Sequence, residues 1–124
     1  MKMLLLFIGE DEKFNLSQVA DSLTKIPNIQ NFKQGDFVGS ILECEFSEKT
    51  DFTIIRLSDD LETISIDGDG EASLKIALEI QKHYPQNLRL IDSNYSFDIE
   101  LAEIKSVGQL RHQMRESASF QLPV

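Results

Sequence analysis

Apolar residues recur along this chain with two different periods, and the switching between them restricts the fold more than any other feature. In some stretches every second position is apolar, as a half-buried strand requires, and in others every third or fourth, as an amphipathic helix requires. Met3 to Ile8 is a continuous apolar run of strand length that Gly9 ends, which suits a strand buried on both faces at the centre of a sheet. Asn15 then stands as a helix N-cap with Gln18 three residues on, and Leu16, Val19, Ala20, Leu23 and Ile26 follow at helical spacing until Pro27.

From Phe37 to Phe46 the period returns to two. Val38, Leu42, Cys44 and Phe46 fall on one face, while Phe37, Ile41, Glu43 and Glu45 fall on the other. Phe52 to Leu57 and Thr63 to Ile66 read as two further strands of an antiparallel meander, separated by polar turns. Asp67-Gly68-Asp69-Gly70 is a turn that launches a second helix, whose Leu74, Ile76, Ala77, Leu78, Ile80 and Tyr84 form a wide apolar face before Pro85. Leu88 to Ile91 and Tyr95 to Leu101 flank a turn as a hairpin, with Tyr95, Phe97, Ile99 and Leu101 inward and Ser96, Asp98 and Glu100 outward. Ser106 and Gln109 have capping-box spacing and open a short last helix through Val107, Leu110 and Met114. The expected order is β-α-β-β-β-α-β-β-α, an α+β fold with an antiparallel or mixed sheet and about three helices mainly on one face. Residues 1–124 read as a single domain in which 117–124 form a frayed tail.

Charge is unevenly distributed. The formal net charge is -9, and between Asp36 and Glu103 sixteen acids face five bases. Such a field repels nucleic acid and anionic membranes and draws basic partners inward. Cys44 is the single cysteine, so no intramolecular disulfide can form, and a reducing, cytoplasmic setting is expected. The apolar run at the start is shorter than a signal-peptide core and runs directly into Glu10-Asp11-Glu12.

Each chemical motif is incomplete. Gly68-Asp69-Gly70 resembles part of a dinucleotide-binding turn, but Ser73 stands at the third glycine and Asp67, Asp69 and Glu71 would repel a pyrophosphate. The same three acids could chelate calcium, yet Ala72 and Leu78 occupy positions where an EF-hand needs glycine and glutamate. His83 and His112 lack metal-ligand spacing, there is no Gly-x-Ser-x-Gly elbow, and Cys44 lies on an apolar strand face rather than beside a base. The pairs Glu43 with Glu45 and Asp98 with Glu100 project from their strands at a spacing that mostly marks a solvated face. No catalytic residue, cofactor or metal is therefore expected.

Small size, strong acidity, an α+β core and the lack of catalytic groups together resemble the immunity proteins that bacteria make against their own polymorphic or contact-dependent toxins. The resemblance is one of layout over the whole chain. It implies a basic partner, a cognate toxin domain such as a nuclease, met by Glu43, Glu45, Asp67, Asp69, Glu71, Asp98 and Glu100 through charge and shape complementarity. An adaptor or assembly subunit would share the acidity but carry a more apolar, self-complementary patch. A small-molecule binder or enzyme would need a deep pocket with convergent polar groups.

Overall fold

The computed structural model describes residues 3–121, apart from the side chains at 36, 37 and 118–121. The elements are β1 (Met3–Phe7), α1 (Leu16–Thr24), β2 (Ile29–Phe37), β3 (Ser40–Glu48), β4 (Asp51–Ser58), β5 (Ile64–Asp67), α2 (Glu71–His83), β6 (Arg89–Asp92), β7 (Asp98–Glu100) and α3 (Val107–Gln121). All pairings are antiparallel, in one seven-stranded sheet of order β2-β3-β4-β5-β1-β6-β7. The meander is present, running from β2 to β5, and β1 is inserted between β5 and β6.

Helices cover one face of this sheet. α2 packs on β3, β4 and β5, α1 leans on α2, and α3 bridges α2 and β7. The core lies between the two layers. Cys44, Ile55, Ile66 and Leu4 stand in register across four strands, and Leu57, Ile64, Leu6, Leu90 and Ile99 form a parallel row. Against them α2 places Leu74, Ile76, Ala77 and Ile80, all buried. Burying each such aliphatic side chain contributes roughly 1.5–3 kcal/mol before the entropy of ordering it.

Local chemistry explains where the helices begin. The Asn15 side chain accepts a hydrogen bond from the Gln18 N–H at 2.9 Å, and Ser106 Oγ accepts one from the Gln109 N–H at 3.1 Å. Gly70, the N-cap of α2, has no side chain to offer. The carboxylate of Asp51, at the start of β4, accepts from the Ala72 N–H at 3.0 Å instead, and a Cβ on Gly70 would stand 2.7 Å from that oxygen. The far end of α2 is tied to the start of α1, where Tyr84 Oη accepts from the Asn15 N–H at 3.0 Å and its ring meets Phe14 edge-on at 5.3 Å.

Several sequence expectations are corrected. An additional strand, β2, precedes the one placed at Phe37 to Phe46, and a tight turn at Val38 and Gly39 separates the two. Val38 is consequently fully exposed rather than in the core. Tyr95 also faces solvent, 73% exposed, because its backbone is left-handed (φ 55°) and ends the alternation before β7 begins at Asp98. Strand β1 is buried on one face only, since among the described residues no helix covers the other. Leu78 is half-buried, and the last helix runs on to Gln121. Among the described residues no helix is long and apolar enough to cross a membrane.

Candidate interaction face

Among the described residues every helix packs on one side, which leaves the other side of the sheet uncovered by them. Its side chains alternate with the core residues, so the register identifies them: Lys33, Glu43, Arg56, Ser65, Leu5, Ile91 and Asp98 lie in one row across all seven strands. Met3, Leu5 and Phe7 of β1, with Ile41 of β3 and Ile54 of β4, keep partial exposure there. The β1 side chains form a central apolar ribbon between strands β3–β5 and β6–β7.

Arginine-carboxylate groups flank this ribbon on both sides. On β4, Arg56 Nε donates to Glu43 Oε1 at 2.8 Å and its Nη1 reaches Asp67 Oδ1 at 3.4 Å. On β6, Arg89 Nε donates to Asp98 Oδ1 at 2.7 Å and Nη1 lies 3.7 Å from Glu100. Three strand spacings, roughly 14 Å, separate β4 from β6. Each group holds two carboxylates for one guanidinium and so remains net negative. Glu45 is half-buried beside the first group and forms no ion pair among the described residues.

At one end of the ribbon the face sinks into a shallow depression of about 340 Å³. Leu5, Phe7, Ile91 and Tyr95 line it together with Glu10, Asp11, Glu12 and Glu62, and among the described residues no basic side chain does. The sequence reading missed this grouping. Glu10 to Glu12 follow β1 and Glu62 precedes β5, so only the pairing of those two strands brings them together. The one available signal was the acidic run directly after an apolar strand.

The acids singled out from sequence do not form one patch. Glu43, Glu45 and Asp67 gather around Arg56, while Asp98 and Glu100 gather around Arg89 on the far side of the ribbon. Glu71 belongs to the helical layer, where its carboxylate accepts from Arg111 Nη2 at 3.0 Å. Asp69 lies in the turn between β5 and α2, half-buried and engaged by a partner. Asp67 and Glu71 thus serve different cations on different layers. Instead of its carboxylate, the Asp67 backbone carbonyl secures the turn, accepting from Thr53 Oγ1 and Ser73 Oγ, both at 2.6 Å. Phe37, expected on the same face as Glu43 and Glu45, has its side chain outside those described.

Cys44 faces the helical layer and is fully buried, as its alternation indicates. Burial, with Glu43 and Glu45 adjoining, pushes the thiol up to about 12. A thiol held there is protonated at neutral pH and is a poor nucleophile. His112 sits on exposed α3 surface beside Glu116, and among the described residues no group of His, Cys, Asp and Glu side chains is arranged to hold a metal. No protein-family model, curated protein or solved structure matches this chain.

Proposed function

We propose that this chain is a non-enzymatic binding protein whose open sheet face docks a basic protein, and that the partner is a toxin domain which it neutralises as an immunity protein. The observation that carries this reading is the uncovered face itself: an apolar ribbon between two net-negative arginine-carboxylate groups, ending in a carboxylate-lined depression. Apolar side chains flanked by charge are the composition of a protein interface, with buried anchors at the centre and ionic contacts at the rim. A cationic surface, such as one that grips nucleic acid, would be steered onto this face and covered by it.

The direct test is association kinetics with an isolated basic partner domain. Replacing Glu43, Glu45, Asp98 and Glu100 by Gln or Asn should slow association about tenfold and flatten its dependence on salt, with a smaller effect on dissociation. Association indifferent to both salt and these substitutions would sink the steered-inhibitor reading. The apolar ribbon also favours a second reading, an assembly subunit that pairs with its own copy. Sedimentation distinguishes the two, because a self-associating chain would dimerise alone and Leu5→Lys would abolish the dimer.

A further inference from the structure

A second concavity lies on the helical side, away from the open face. It is a groove of about 620 Å³ between α2 and the segment joining β7 to α3. We propose that this groove binds a small apolar molecule carrying a carboxylate. The inference is independent of the protein-docking reading.

Four half-buried apolar residues, Leu78, Ala102, Ile104 and Val107, line it. Leu78, Ile104 and Val107 pack against the core and still keep surface open to the groove. An apolar ligand body would remove that surface from water, and the volume falls within the range of small-molecule sites. The charge of the lining is opposite to that of the whole molecule. Lys75, Lys82 and Lys105 are present with a single carboxylate, Glu79, on a chain of net charge -9. Glu79 lies 3.8 Å from Lys82, and Lys75 is drawn to Glu48 at 3.3 Å. Lys105 forms no ion pair among the described residues. One positive charge, that of Lys105, is thus left uncompensated among the described residues beside an apolar lining, which complements an anion with an apolar tail and disfavours a cationic one.

Both ends of the groove are pinned before any ligand arrives. Gln81 Nε2 donates to the Gln86 carbonyl at 3.0 Å and its Oε1 accepts from the Leu88 N–H at 2.7 Å. At the other wall Gln109 Oε1 accepts from the Lys105 N–H at 2.9 Å. A preformed groove spares the ligand the entropic cost of ordering it.

Octanoate, octan-1-ol and octylammonium, titrated separately into the full chain while backbone amides are followed by NMR, test the proposal. Saturable octanoate shifts are expected at Leu78, Ala102, Ile104 and Val107, with weaker binding of octanol and none of octylammonium. The double variant Lys82→Gln/Lys105→Gln should weaken octanoate by about fivefold, since both side chains are exposed and each contributes modestly. Ile104→Ser should weaken octanoate and octanol alike. Should either variant lose its dispersed spectrum, the salt dependence of octanoate binding to the wild type decides, since a lysine-held carboxylate must bind more weakly at higher salt. Equal binding of octylammonium, shifts confined to the open sheet face, or no binding of octanoate would each overturn the assignment.

Discussion

Cys44 shows how one residue's surroundings set its chemistry. The thiol is buried among Leu42, Phe46 and the α2 side chains, with Glu43 and Glu45 adjoining on the same strand, and all three influences oppose the thiolate. In the folded chain it ionises only near pH 12, whereas an exposed thiol ionises near 9.0. Above pH 9.0 the unfolded chain therefore holds fewer protons than the folded one, so stability falls as pH rises and the loss continues until the folded thiol itself ionises. Denaturation between pH 8 and 11 should show this decline, at most about 1.4 kcal/mol per pH unit, and Cys44→Ala should remove that component. An unchanged alkaline profile in the variant, or fast labelling of the native thiol, would place Cys44 in contact with water. This burial was legible in the sequence because Cys44 alternates with Leu42 and Phe46 on one strand. Val38 and Tyr95 were misread by the same rule, since alternation presumes a strand and both residues lie in turns.

Elements in this fold depend on one another for their ends. α1 and α3 carry their own caps, and the Asn15–Gln18 and Ser106–Gln109 spacings revealed both. α2 does not. Its N-terminal donor at Ala72 is satisfied by Asp51, twenty-one residues earlier in the chain. Asp51→Ala should destabilise the protein by about 1 kcal/mol in urea unfolding, whereas Asp51→Asn should retain most of the stability because Asn caps nearly as well. A neutral Asp51→Ala would mean that water or the turn supplies this bond. No local pattern announces such a cap, because Asp51 sits at the start of a strand and meets α2 only once the β4–β5 hairpin has formed. Strand β2 was missed for a related reason. Its pairing with β3 is interrupted by register shifts around Gln30/Lys33 and Gln34/Phe37, with Asn31 and Gly35 at positive φ, so its residues show no period of two.

Across the whole molecule, the net charge of -9 is distributed mainly over surface carboxylates. The ion pairs that offset it involve largely exposed side chains, each contributing little. Self-repulsion should therefore dominate the response to salt: raising NaCl from about 20 to about 300 mM should increase the Tm by roughly 2–4 °C. A lower Tm at the higher salt would show instead that the Arg56 and Arg89 groups outweigh the general repulsion. The sequence by itself determined the α+β class, the antiparallel meander, the placement of helices on one side and the acidity, because period, capping and charge count are local properties of the chain. Tertiary structure alone decided that β1 enters between β5 and β6, that the acids divide between two arginines on the sheet and a third in the helical layer, and that Glu10 to Glu12 meet Glu62 and Tyr95 around one depression. Those outcomes depend on strand order and register, and side chains far apart in sequence become neighbours only when backbone pairing sets both.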